Sequence, residues 1–173
     1  MEKARFGHRL VLGGARSGKT RHALALAEST GATRVYIATA EAGDAEMAER
    51  IAHHQAERGP GWRTLETPLD LSHAIATTTD ADVILVDCLT LWLSNIFFAK
   101  RDPVSETEDL VSALQAQPIP CILVSNEIGL GLVPETPLGR RFRDEQGRLN
   151  QRIAAAVPHV DFVAAGLALS LKG

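Results

Sequence analysis

Gly13-Gly14-Ala15-Arg16-Ser17-Gly18-Lys19-Thr20 sits between the apolar stretch Arg9-Leu10-Val11-Leu12 and the alanine-rich run Ala23-Leu24-Ala25-Leu26-Ala27. The first flank reads as a short strand and the second as a helix stopped by Gly31. The octapeptide matches G-x-x-x-x-G-K-[ST]. Its glycines let the backbone turn N–H groups toward a phosphate, and the helix that follows aims its positive dipole end at the same anion. Lys19 is expected on the β- and γ-phosphates and Thr20 on Mg²⁺. An ordinary glycine-rich strand-to-helix turn would have the same glycines, but not the Lys-Thr pair in this context.

Strands and helices alternate outward from this loop. Arg34–Ala38 is β-rich, and residues 44–58 read as a helix with Asp44 as its N-cap, ended by Gly59-Pro60-Gly61. Trp62–Glu66 reads as a strand and Leu69–Thr77 as a helix. Val83–Val86 is a continuous apolar run ending in Asp87, as in a central parallel strand. Leu89–Lys100 is an apolar helix. Residues 101–108 read as a charged loop before a helix over Asp109–Gln117. Cys121–Ser125 is a further strand, and residues 129–139 form a Gly- and Pro-rich loop. Arg140–Val157 is a polar helix with a break expected at Gly147, and Asp161–Ala165 is the last strand. Such alternation gives βαβ units. The expected class is α/β: a P-loop NTPase (RecA-like) three-layer sandwich with a mainly parallel central sheet. At this length, residues 1–173 form one expected domain.

Composition narrows the function classes. Lys+Arg is 18 and Asp+Glu 21, a net charge of −3, without the basic run a nucleic-acid binder needs. No stretch has the ~18 apolar residues of a membrane span, and no secretory leader pattern is visible. A cytoplasmic protein is expected. Cys88 and Cys121 each lie in an apolar run and read as buried free thiols. Asp87, at a strand end, is the natural second Mg²⁺ partner, or else an N-cap for the next helix.

The helix over 44–58 carries two adjacent histidines. Met47, Ile51, His54 and Arg58 share one stripe, whereas His53 lies with Glu46, Glu49, Arg50 and Glu57 on the polar face. His54 therefore points where the helix packs or meets a ligand. It reads either as a satisfied, half-buried histidine or as a nucleophile toward an activated phosphate.

Further stretches complete a pattern. They are Tyr36-Ile37-Ala38-Thr39-Ala40, Arg50-Ile51-x-x-His54-x-x-x-Arg58, Trp62-x-Thr64-x-Glu66, Leu85-Val86-Asp87-Cys88-Leu89-Thr90 and Ser94-Asn95. Near the end stand Ser125-Asn126-Glu127-Ile128-Gly129-x-Gly131-x-Val133-Pro134 and Phe142-Arg143-Asp144-x-x-Gly147-Arg148-x-Asn150-Gln151. From about residue 10 to about residue 172 the chain resembles the bifunctional adenosylcobinamide kinase/adenosylcobinamide-phosphate guanylyltransferases of cobalamin biosynthesis.

That resemblance implies two reactions. Adenosylcobinamide is phosphorylated on its aminopropanol hydroxyl by ATP or GTP. GMP from GTP is then taken onto a histidine with release of pyrophosphate, and passed to adenosylcobinamide phosphate to give adenosylcobinamide-GDP. The family's nucleophile falls on His54, with Lys19 at the transferring phosphates and His53 as the alternative nucleophile. Nucleotide contacts carry over to Gly13, Gly14, Ala15, Arg16, Ser17, Gly18, Lys19, Thr20, Thr39, Ala40, Glu41, Gln55, Ala56, Glu57, Arg58, Glu66 and Asp87. Mg²⁺ falls to Thr20 and Asp87. Arg58 either steadies phosphate charge or is a surface arginine paired with Glu57 or solvent. Arg16 and Arg143 are further candidates.

The chain departs from the family in having Thr20 where Ser is usual, Gly59 before Pro60, and Ala45 where an acid is common. A homo-oligomer, a trimer by the resemblance, is expected. The alternatives are a kinase with a non-catalytic His54, and a nucleotide-dependent switch or DNA-associated ATPase.

Overall fold

The computed structural model describes residues 7–41, 43 and 45–173, with the side chains of residues 46, 47, 50, 53, 54 and 57 outside that description. The expected Asp44 cap falls outside it as well. In chain order the elements are β1 (Arg9–Gly13), α1 (Lys19–Thr30), β2 (Arg34–Ala38), α2 (Ala45–Glu57), β3 (Trp62–Glu66), α3 (Leu71–Thr77) and β4 (Val83–Asp87). They continue with α4 (Leu89–Phe98), α5 (Pro103–Ala116), β5 (Cys121–Asn126), α6 (Pro137–Ala156), β6 (His159–Ala164) and β7 (Leu167–Lys172).

The strands form one sheet in the order β3-β2-β4-β5-β1-β6-β7. Every neighbouring pair is parallel except β6–β7. The period-2 alternation of each strand divides its side chains between two cores. Leu10, Val35, Ile37, Ile84, Val86 and Leu123 face one, with Leu71, Leu89, Trp92, Leu110 and Ile153 from the helices. Val11, Tyr36, Val83, Leu85, Ile122 and Val124 face the other, against Ala23 and Ala27 of α1. Strands apolar on both faces need helices on both, so a mainly parallel three-layer α/β sandwich follows. Among the described residues, no helix is long and apolar enough to cross a membrane. Both cysteines are free and buried.

The register aligns the carboxyl ends of the central strands. Gly13 pairs with Asn126, and Ala38 pairs with Asp87 on one side and Glu66 on the other. One rim of the sheet therefore carries the phosphate-type loop, Asp87 and Asn126 together. In open parallel sheets this rim is where ligands bind.

Three expectations need correction. The charged segment 101–108 is not a loop: α5 starts at Pro103, and the Asp102 carboxylate accepts from the Ser105 N–H over 3.1 Å. Proline at the first helical position and aspartate before it are start signals. The buried stripe Pro103, Thr107, Leu110, Val111 and Leu114 outweighs the surface charge. Next, α6 runs unbroken through Gly147, because Gln146, Leu149, Asn150 and Ile153 bury one continuous face. That packing offsets the ~1 kcal/mol a mid-helix glycine costs.

Lastly, β6 is not the last strand. Ala165 and Gly166 have φ of 52° and 78°, a two-residue turn with positive φ at both positions, which is the geometry that reverses a strand tightly. It sends β7 back antiparallel to β6. The Lys172 ammonium then donates to the carbonyls of Ala154 (2.9 Å) and Val157 (2.6 Å) at the end of α6.

Candidate functional site

The phosphate-type loop is held from behind as well as from within. Gly13 cannot take a side chain, since a Cβ there would lie 2.6 Å from the Val163 carbonyl and also strike Ser17 Oγ. Gly18 has φ 94° and caps α1 with no side-chain bond. Its missing Cβ also leaves room for Gly166, whose Cα would lie 3.1 Å away. The Gly166 N–H donates to the Ser17 carbonyl over 2.7 Å, so the β6–β7 turn backs the loop. Gly14 is different, because a Cβ there would meet nothing within 4 Å. The first turn of α1 holds no acidic residue, so its unpaired N–H groups and dipole stay open to an anion.

A cavity of about 330 Å³ opens in front of this loop. Lys19 and Thr20 line it from α1, Tyr36 from β2, Asp87 from β4, Asn126 from β5, and Ile51, Gln55 and Arg58 from α2 and its end. The Lys19 ammonium donates to the Gly14 carbonyl over 3.0 Å, folded over its own loop. Asp87 Oδ2 accepts from Thr20 Oγ1 at 3.3 Å and from the Tyr36 hydroxyl at 2.9 Å. Burial first, and the Asp87 charge second, hold the Tyr36 phenol far above its ordinary pKa, so it stays a donor. The Arg58 guanidinium lies 3.5 Å from the Tyr36 ring centroid and donates to Thr64 Oγ1 at 3.3 Å.

The candidates divide. Lys19, Thr20, Ala40, Gln55, Arg58 and Asp87 line the cavity together. Thr39 is fully buried, and its hydroxyl both donates to the Cys88 carbonyl (2.7 Å) and accepts from the Cys88 N–H (2.9 Å). The Thr39 carbonyl accepts from Asn95 Nδ2 at 2.8 Å. Thr39 thus stitches β2 to the start of α4, and its side chain is fully used. Ala15, Arg16, Glu41, Ala56 and Glu66 are exposed. Arg143 stands on α6, outside the cavity lining. His53 and His54 fall in α2, and the expected side-chain directions there, like that of Glu57, fall outside the described residues.

Tyr36, Cys88, Leu91 and Asn126 line the cavity although the motif reading assigned them no part. Burial pushes the Cys88 thiol up to about 11, with the Asp87 charge adding to it. A protonated, buried thiol is a wall rather than a nucleophile. Asn126 is fixed at both backbone ends: its N–H donates to Thr90 Oγ1 (2.9 Å) and its carbonyl accepts from Asn150 Nδ2 (3.1 Å). Its side-chain Oδ1 is buried without a partner.

The chain's relatives agree with one another. A family model described as cobinamide kinase / cobinamide phosphate guanyltransferase matches residues 9–171. The bifunctional adenosylcobalamin biosynthesis protein CobP of Pseudomonas aeruginosa is 51% identical over 168 residues, covering 95% of this chain and 96% of that protein. The bifunctional adenosylcobalamin biosynthesis protein CobU is 40% identical in Escherichia coli and 42% in Salmonella typhimurium. Each match covers 94% of this chain and 98% of the relative. Among solved structures, a KaiC-like protein of Pyrococcus horikoshii aligns over 96% of this chain and 80% of that one. It has a TM-score of 0.51 at 14% identity, a likeness of fold alone.

Proposed function

The chain belongs to the cobinamide kinase/cobinamide phosphate guanyltransferase family, and from that premise we propose that the rim-side cavity in front of the loop carries both transfers. In the first, ATP or GTP phosphorylates the hydroxyl of adenosylcobinamide. In the second, His54 attacks the α-phosphorus of GTP, pyrophosphate leaves, and the histidine-bound GMP passes to adenosylcobinamide phosphate. One observation carries the reading: the loop lysine, Asp87 and three residues of the histidine helix segment line a single cavity. His54 stands three positions after Ile51 and four before Arg58 on that segment. An α-helix places those positions on one stripe.

The chemistry follows from the residues. Lys19 and the N-terminal turn of α1 bring positive charge to the β- and γ-phosphates, where charge builds during transfer. The loop Gly13–Gly18 supplies backbone donors, and Gln55, Ala56, Glu57 and Arg58 with Ala40, Glu41 and Glu66 complete the expected nucleotide contacts, while Thr39, fully buried, holds the strand end behind them. Arg58 brings a second cation, already oriented by Tyr36. A histidine nucleophile splits one difficult displacement into two and stores the activation as a phosphoramidate.

Mg²⁺ fits the donors present. Thr20 Oγ1 and Asp87 Oδ2 are hard oxygens 3.3 Å apart beside the loop, the ligand type magnesium shares with substrate phosphates. Bound by these two residues, the ion would neutralise phosphate charge.

Both reactions belong to one domain in this reading, placed in the cytoplasm. A homo-oligomer, trimeric by the family resemblance, fits the exposed leucines 167, 169 and 171 on β7, an apolar stripe that a second copy would cover.

The test is incubation with labelled GTP and Mg²⁺ followed by intact mass. The expected result is a GMP adduct that is acid-labile and base-stable. No adduct under turnover conditions overturns the covalent route and leaves a kinase with a non-catalytic His54.

A further inference from the structure

β5 lies between the loop strand β1 and the Asp87 strand β4, and it ends in Asn126. Asn126 pairs with Gly13 whereas Asp87 pairs with Val124, so Asn126 stands about 6–7 Å further out on the rim than Asp87. The Glu127 N–H donates to the Gly13 carbonyl over 3.0 Å, which pins this strand end to the start of the loop. The period-2 alternation carries the Ile122-Val124 face on to Asn126 and the Val83-Leu85 face on to Asp87. Both therefore rise on the side that α1 covers, and both line the cavity with Lys19 and Thr20 of that helix. The backbone of Asn126 is already used: its N–H donates to Thr90 Oγ1 and its carbonyl accepts from Asn150 Nδ2. Its Oδ1 is buried in the wall. Its Nδ2, by contrast, is open to solvent and donates to nothing among the described residues. What the amide offers outward is a donor.

We propose that Asn126 Nδ2 donates to the terminal phosphate of a bound nucleoside triphosphate, so that the site tells a triphosphate from the diphosphate left after phosphoryl transfer. The inference rests on the nucleotide site proposed above. Phosphate oxygens are acceptors, and an amide NH2 has two donors for them. The loop N–H groups and the start of α1 meet the phosphates nearest the loop. Asn126 stands beyond them and beyond Asp87, where the far end of the phosphate chain comes. A neutral donor held at both backbone ends costs little to aim. Once the terminal phosphoryl group has left, this donor has no partner, and the diphosphate is held by the loop alone.

Asn126→Ala and Asn126→Asp decide the matter, each titrated by calorimetry at saturating Mg²⁺ with GDP, ADP and the β,γ-imido analogues of GTP and ATP. Asn126→Ala is expected to weaken the triphosphate analogues by about 10- to 100-fold, the effect of one hydrogen bond to a charged group. The diphosphates should stay within about twofold of wild type. Asn126→Asp sets a carboxylate against the phosphate and should bind the triphosphate analogues more weakly still. The buried Oδ1 makes no bond, so Asn126→Ala should lower Tm by no more than about 2–4 °C. Equal weakening of diphosphates and triphosphates, unchanged triphosphate affinity in Asn126→Ala, or Asn126→Asp binding triphosphate more tightly than Asn126→Ala would each overturn the assignment. If the wild-type protein binds none of the four nucleotides, the nucleotide-site reading fails instead.

Discussion

The guanidinium of Arg58 lies 3.5 Å from the centre of the Tyr36 ring, and the hydroxyl of that same tyrosine donates to Asp87 over 2.9 Å. One side chain therefore has two separable tasks. Its face seats a cation at the end of α2, and its tip holds the carboxylate expected at the metal. Trp62 meets the ring edge-on at 6.1 Å and fixes its plane.

Tyr36→Phe keeps the face and removes the tip. Its expected effect is a rise of about 3- to 10-fold in the Mg²⁺ concentration needed for half-maximal phosphorylation, from the loss of one charge-assisted hydrogen bond. The GMP-adduct rate should change little at saturating Mg²⁺. Tyr36→Leu removes both. A cation–π contact contributes about 1 kcal/mol, so adduct formation should fall about fivefold further than in Tyr36→Phe. Mg²⁺ titrations of both half-reactions check the separation.

His54→Ala is expected to abolish the GMP adduct while leaving phosphorylation of cobinamide within about threefold of wild type. His53→Ala should leave both intact, because neighbouring helical positions face different directions. Intact mass after GTP incubation and a phosphorylation assay read the two outcomes. If His53→Ala alone removed the adduct, the nucleophile would be reassigned to it.

The glycines of the loop should differ in their sensitivity. Gly18→Ala places a side chain at φ 94° and 3.1 Å from Gly166 Cα. Strain of about 1–2 kcal/mol lowers Tm by about 2–8 °C in a chain of this size. Gly14→Ala meets open space and should leave Tm within about 1 °C. Thermal unfolding distinguishes the pair.

Acid should destabilise the fold through His8. Burial, partly offset by hydrogen bonds to the Leu114 and Gln117 backbone, lowers its pKa from the ordinary 6.5. Its Nδ1 also accepts from the Cys121 N–H over 3.0 Å, which requires a lone pair there. The unfolded chain therefore binds a proton more readily than the native one. The contribution of His8 is complete above about pH 6.5 and is lost as pH falls below it. His159 is lowered too, by burial and then the Arg9 charge, and acts in the same sense. Urea unfolding at pH 7.5 and 5.5 should show lower stability at pH 5.5. His8→Ala should flatten part of that slope and cost about 1–3 kcal/mol at pH 7.5, because the Cys121 N–H loses its acceptor.

Where the chain's local signals agree with its packing, its sequence is readable. Arg34–Ala38 and Trp62–Glu66 are found as expected, and the apolar run from Val83 ends at Asp87 on the same rim as the phosphate-type loop. The Asp102-Pro103 start of α5 was legible too, but its surface charge hid it. Leu167, Leu169 and Leu171 alternate as a strand should after the Ala165-Gly166 turn. Their exposure deprives them of the buried-face pattern that marks strands. Tyr36 and Asn126 escape for another reason. A tyrosine within an apolar strand and an asparagine at a strand end look like core and cap. Only the parallel register brings them beside Asp87 and Lys19, and register is a property of strand order rather than of local sequence.

The bond from Gly166 to the carbonyl of Ser17 has a mechanical meaning. The floor of the phosphate-type loop and the tip of the outermost hairpin share one main-chain bond. The same backbone that shapes the loop also seats the hairpin turn, and Gly18 and Gly166 meet there too closely for a side chain on Gly18. The outermost hairpin is therefore part of the loop's own support, joined to it through main chain alone.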